Sequence, residues 1–163
     1  MLSFLSGDKP FQVGFLVEDL KACIRSYNDR FGVSGWQVYT YGPLILNRMI
    51  YRGKHTTYSS LIGLNYIGST RIELIQPLEG ETIFTEFIRK HGYGQHHLGI
   101  YVDDIEAAKA EALTAGFEII MEGGGHGLDG DGYYAYLDTE ETLGTTYELI
   151  ERPARRREPE WVM

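Results

Sequence analysis

Apolar positions along this chain follow two periods. Leu20, Cys23, Ile24, Tyr27 and Phe31 recur every three or four positions, as one face of a helix does, and Gly32 supplies a stop. The same spacing at Ile105, Ala108, Ala112 and Ala115 predicts a second helix ending at Gly116, and Ile83, Phe84, Phe87 and Ile88 predict a third over 82–90. Strand-like runs occupy 36–41, 58–66 and 70–75, then 117–121, 133–137 and 145–150. Each of the first two helices follows a β-rich run that ends in an acidic pair, Glu18-Asp19 and Asp103-Asp104. A carboxylate there can accept from the free N–H groups of the first turn and meets the positive end of the helix dipole.

These patterns are written twice. The segment from Gln12 to Leu20 matches the one from His97 to Ile105 at an offset of 85, with Gly, Val and Asp repeated identically and the apolar positions kept. Ile72-Glu73-Leu74-Ile75 matches Tyr147-Glu148-Leu149-Ile150 at an offset of 75, so the second copy lacks ten residues of interior. Repeats fix architecture before local detail does. The expectation is an α+β fold of two βαβββ modules, 9–78 and 93–152, joined by a linker helix at 79–92 and followed by a tail at 153–163. If each module curls its strands into a half-barrel, the two would face each other.

Length and composition add limits. A chain of 163 residues with 43% hydrophobic and 23% charged residues suits one domain. A formal net charge of -8 disfavours nucleic acid or an anionic membrane as partner. The basic run Arg155-Arg156-Arg157, bracketed by Glu151, Glu158 and Glu160, reads as a solvated tail. Cys23 is single and lies on an apolar helix face, which suits a buried thiol. The N-terminal ten residues lack a secretory pattern and no stretch approaches the roughly 18 apolar residues of a membrane span, so a cytoplasmic location is expected.

Four polar residues stand inside apolar strand runs. Gln12 and His97 are equivalent first-strand positions, and Glu73 and Glu148 are equivalent last-strand positions. A pseudo-twofold pairing of half-barrels would bring all four to one point. One imidazole, two carboxylates and an amide oxygen suit one divalent ion, Zn, Ni, Co, Mn or Fe(II). Two carboxylates buried together without a cation would cost several kcal/mol or force one to stay protonated.

With these residues the chain resembles the vicinal oxygen chelate superfamily, which includes glyoxalase I, methylmalonyl-CoA epimerase, extradiol dioxygenases and bleomycin resistance proteins. The resemblance runs from about residue 11 to 153. It implies that the paired modules form an open eight-stranded metal-binding cavity, with Gln12, Glu73, His97 and Glu148 as the metal ligands. The segments Gly92 to Gly99 and Glu73 to Leu78 are most similar to the epimerase and glyoxalase-like branch. Gln12 and Glu73 depart from the epimerase pattern, and the run 58–66 has no carboxylate for a second base. The resemblance implies an isomerase, epimerase or lyase that removes a proton next to a carbonyl through a metal-stabilised enolate, with Glu148 as base and Glu73 as its counterpart. A non-catalytic binding or resistance protein is the alternative. An extradiol dioxygenase is disfavoured by the single well-placed histidine.

The substrate would be a small molecule with adjacent oxygens, aromatic or a CoA thioester, and a homodimer is expected from the family. Tyr58, Tyr66, Tyr134 and Tyr136 are candidate pocket residues, as is His126 in the glycine-rich loop 122–132, which reads as a mobile lid. Arg48, Arg52, Lys54 and His55 are candidates for holding an anionic substrate.

Overall fold

The computed structural model describes residues 11–163; Lys9 and Pro10, assigned to the first module, and the rest of the N-terminal segment lie outside them. The first half contains β1 (Phe11–Leu16), α1 (Leu20–Phe31), β2 (Gln37–Tyr41), β3 (Arg48–Tyr51), β4 (Lys54–His55), β5 (Ser59–Ile67) and β6 (Thr70–Glu79). Helix α2 (Ile83–His91) leads to β7 (Gly94–Val102), α3 (Ile105–Thr114), β8 (Ile119–Gly124), β9 (Tyr133–Leu137), the short α4 (Glu140–Leu143), β10 (Thr146–Glu151) and β11 (Trp161–Val162).

The helix signals correspond to specific bonds. Asp19 accepts from the Ala22 N–H at 2.8 Å and Asp104 from Ala107 at 2.9 Å. Gly32 ends α1 at a φ of 67°, a left-handed conformation that favours glycine. Thr82 and Thr85 form a reciprocal capping box on α2. Leu20 and Ile24 of α1 are fully buried over β5 and β6, where each contributes about 1.5–3 kcal/mol by leaving water. Ala108 and Ala112 of α3 are likewise buried over β9 and β10, each with a smaller contribution from its single methyl group.

All strands join one mixed sheet, ordered β11-β2-β5-β6-β1-β7-β10-β9-β8-β3-β4. The two halves meet at β1 and β7, which pair antiparallel, while β6 runs parallel to β1 and β10 parallel to β7. That symmetry is the βαβββ repeat. Among the described residues there are eleven strands against the eight expected, because three short strands were not legible. β3 and β4 fold from the residues that the second copy lacks, and β3 adds to β8 at the other half's edge. β11 comes from the tail and adds to β2.

These additions require curvature. β2 and β3 are eight strand-to-strand steps apart, about 38 Å in a flat sheet. The six residues between them, 42–47, can span at most about 25 Å. The sheet therefore curls into a half-barrel, with two apolar clusters under α1 and α3 and a third lining its inner face. The tail also crosses the open side, since it runs from β10 to the edge of β2. It is not a free solvated segment: Leu128 N–H donates to the Arg155 carbonyl at 2.9 Å, and Arg155 pairs with Asp129. No helix among the described residues is long and apolar enough to cross a membrane.

Candidate metal centre

Side chains on β1 alternate, so Gln12, Gly14 and Leu16 face inward while Val13 and Phe15 pack toward α1. Register then sets the site. Across the central pair Gln12 faces Gly99 and Gly14 faces His97. The glycines occupy equivalent positions in the repeat, and each leaves room for the polar side chain opposite. A Cβ on Gly14 would lie 1.9 Å from His97 Cε1, a clash with the ring, and one on Gly99 would lie 2.9 Å from Gln12 Cβ. Gly14→Ala is therefore expected to displace the imidazole and weaken metal binding by about 10–100-fold, the usual cost of disturbing a ligand's support. Metal titration of G14A checks it, and wild-type affinity would refute the packing argument.

Glu73 on β6 and Glu148 on β10 complete the centre from the strands flanking the central pair. His97 Nε2 lies 3.2 Å from Glu73 Oε2 and 3.2 Å from Glu148 Oε2. The three residues are buried, and their donor atoms all lie within 4.8 Å of one another. His97 Nε2 is aimed between the carboxylates and makes an aligned hydrogen bond to neither. A buried ring nitrogen with no aligned partner, facing two carboxylates, is the donor arrangement a divalent ion would satisfy.

Gln12 reaches the same point, with its amide nitrogen 3.1 Å from Glu73 Oε2 and 3.0 Å from Glu148 Oε2. Its expected role as a ligand requires the amide to turn over and present oxygen. The outer nitrogen of His97, Nδ1, lies 3.0 Å from Nδ1 of His96. If His97 Nδ1 carries the proton and donates it to His96, Nε2 is left free for the ion. His96 is buried against Phe84 and Phe87, and burial pushes its pKa well down, helped by His97. The strand register shifts here, with Gly14 opposite His97 and Phe15 opposite Gln95. His96 is the extra residue of that bulge.

Burial alone would push the His97 imidazole down, but Glu148 and Glu73 outweigh it and hold its pKa at about 9. Burial also raises the Glu148 carboxyl, partly offset by His97. Both shifts are upward, so the stability they give the metal-free protein is present at low pH and lost as pH rises through the folded values. From the His97 shift alone, metal-free stability is expected to fall by on the order of 3 kcal/mol between about pH 6.5 and 9. Chemical denaturation across that window in the presence of a chelator measures it; a flat profile would show that the imidazole is not held charged.

A narrow cavity opens in front of the carboxylates, lined by Tyr41, Tyr58, Ser60, Phe84, Tyr134 and Tyr136 among others. Of the expected pocket residues, Tyr58, Tyr134 and Tyr136 are here. The Tyr58 and Tyr134 hydroxyls lie 2.9 Å apart, and burial pushes Tyr58 up to about 12. Ser60, with a buried hydroxyl that has no partner, was not foreseen. Tyr66 shares the inward face of β5 but sits at its far end, half exposed and outside this cavity. His126 stacks on Tyr41 with ring centres 5.5 Å apart and lines the adjoining pocket instead. Burial, with Arg71 and Arg156 nearby, lowers its pKa to about 4, so it is neutral at physiological pH.

The loop carrying His126 is tied down by several bonds. Gly125 N–H donates to the Gly132 carbonyl at 2.8 Å, Asn47 Nδ2 to the Gly130 carbonyl at 2.8 Å, and Ala154 N–H to Asp131 at 2.7 Å. Arg48 and Arg52 are committed to Glu106 and Glu86, and Lys54 and His55 are exposed on β4.

A curled mixed sheet of two repeated halves around a buried Glu-His-Glu cluster defines a glyoxalase-like fold. The chain belongs to the Glyoxalase/Bleomycin resistance protein/Dioxygenase superfamily, which it matches over residues 11–136. Similar solved structures include a hypothetical protein from Bacillus halodurans C-125, 25% identical with a TM-score of 0.59 over 90% of this chain and 95% of that one. A methylmalonyl-CoA epimerase from Streptomyces coelicolor in complex with 2-nitronate-propionyl-CoA is 18% identical with a TM-score of 0.64, covering 91% and 99%. The epimerase from Mycobacterium tuberculosis is 21% identical with a TM-score of 0.58, covering 92% and 93%. Among curated proteins, none matches the sequence.

Proposed function

We propose that this protein is a metal-dependent isomerase or lyase that removes a proton next to a carbonyl of a small substrate with adjacent oxygens. The reading rests on the buried convergence of Glu73, His97 and Glu148 at the base of a cavity lined with hydroxyl groups. A divalent ion held by His97 Nε2 and the two carboxylates, with Gln12 as a fourth donor, would supply Lewis-acid stabilisation of oxyanion charge on the substrate.

The chain's own residues divide the remaining work. Glu148 takes the proton, and Glu73 on the opposite flanking strand is placed to return one. Ser60 and Tyr136 offer hydroxyls to a substrate oxygen, while Ile62, Ile75 and Phe84 keep water from the reacting carbon. Glu73 and Glu148 are the only carboxylates lining the cavity among the described residues, so proton transfer falls to them. The solved relatives labelled as epimerases make acyl thioesters a sensible first substrate set, alongside free 2-hydroxy and 2-oxo acids. The test is NMR detection of deuterium entering the position next to the carbonyl in D2O. Metal-dependent exchange that stops on chelation is expected, and exchange unaffected by chelation would overturn the proposal.

A further inference from the structure

A second polar cluster lies on the inner face of the half-barrel, beyond the metal ligands. Arg71 precedes Glu73 by two residues on β6, so it projects from the same face about 7 Å along the strand. It is only 7% exposed; it donates to the Tyr101 hydroxyl at 2.8 Å, and its Nε has no partner. The tail crossing the open side brings Arg156 and Arg157 over it, and Arg152 follows the end of β10. These four arginines line one pocket with Tyr41 and His126.

The pocket has positive charge and free donors; among the described residues no carboxylate lines it, while Glu73 acts on Arg71 and Asp131 on His126 from outside the lining. Arg157 Nε and His126 Nδ1 are also buried without partners. Among the described residues, no carboxylate forms an ion pair with Arg71, Arg152, Arg156 or Arg157, whereas Arg48, Arg52, Arg89 and Arg155 each have one. Arg152 lies over the Tyr101 ring at 3.8 Å instead. Although Arg156 is exposed at the surface, partial burial of its guanidinium and then the neighbouring Arg71 push it below its usual range. In a chain with net charge -8, leaving these groups unpaired is a specific arrangement. Glu73 is the carboxylate that acts on Arg71, and its charge is spoken for if a divalent ion binds.

We propose that this pocket is an anion subsite that holds a compact oxyanion of the substrate, a carboxylate or phosphate, beside the metal centre. The inference rests on the reading of this cavity as a substrate site and narrows the substrate to anionic carbonyl compounds. Planar guanidinium forks suit either oxyanion in a bidentate manner, and neutral His126 can donate through one ring nitrogen. Tyr41 lines both pockets, so an anion here and two chelating oxygens at the metal can belong to one short molecule.

Calorimetric titration of the full chain, freed of metal by a chelator, with inorganic phosphate and separately with malonate tests this at constant ionic strength. Arg156→Gln is expected to weaken binding about tenfold or more, as losing a charged hydrogen-bond partner does. Arg71→Gln should weaken it similarly. Arg155→Gln, whose side chain pairs with Asp129 outside the pocket, should bind as the wild type does. Phosphate favoured over malonate assigns a phosphate, and the reverse a carboxylate. Unchanged binding by R156Q, or equal loss in R155Q, would overturn the subsite. R156Q keeps the test decisive if R71Q fails to fold. Anion binding by protein that takes up no metal supports the subsite while removing the metal reading; metal uptake without anion binding removes the subsite alone.

Discussion

Saturating the chelator-treated protein with Zn2+ or Ni2+ is expected to raise its thermal midpoint by about 10 °C. An ion present at a thousandfold excess over its dissociation constant stabilises the folded state by about 4 kcal/mol. A domain of this size gains roughly 2–4 °C per kcal/mol. The gain arises because the unfolded chain has no preformed site, while the folded chain already holds two carboxylates and an imidazole nitrogen within 4.8 Å. His97→Ala should abolish the metal-dependent increment whatever it does to the midpoint of the metal-free protein. Calorimetric scans with and without metal separate the two effects, and an undiminished increment in H97A would place the ion elsewhere. Uptake should also strengthen with rising pH, since the ion competes with the proton that Glu148 and Glu73 hold on His97 up to about pH 9.

The largest kinetic effect should come from Glu148→Gln. General base catalysis by a placed side chain is worth about 10²–10⁴-fold, so turnover on a substrate identified by deuterium exchange should fall by that factor. Glutamine keeps an oxygen donor and nearly the same volume, so at saturating metal the site can still fill. Measuring metal content beside turnover distinguishes a lost base from a lost ion. Full activity in E148Q would show that another group takes the proton. Glu73→Gln should act on the return step, which labelling from the product side reads.

The repeat made much of this legible in advance. The matching offsets placed Gln12, Glu73, His97 and Glu148 at equivalent strand positions, and β1, β6, β7 and β10 bring all four to one centre. Helix starts were readable because Asp19 and Asp104 cap through their own side chains. The burial of His96 beside the centre was not, since a bulge breaks the period-two alternation of its strand. β3, β4 and β11 were missed because each is short and stabilised by a distant edge instead of its own propensity. The arginine cluster had one readable signal, Arg71 in the same alternation as Glu73. Its partners come from a charged, proline-flanked tail whose return across the sheet depends on pairing with β2, which no local pattern announces. Arg48 and Arg52 drew notice as a charged connection, but nearby glutamates pair with them.

The crossing of the two edges has a temporal consequence. The hairpin of β3 and β4 is donated forward to β8, and β11 is donated back to β2. On the ribosome, the first half therefore emerges with β2 as an open edge that no other described strand of that half covers. That edge is closed only when Trp161 and Val162 have been made, after every other strand of the sheet. Until then it is a template for pairing with another nascent chain.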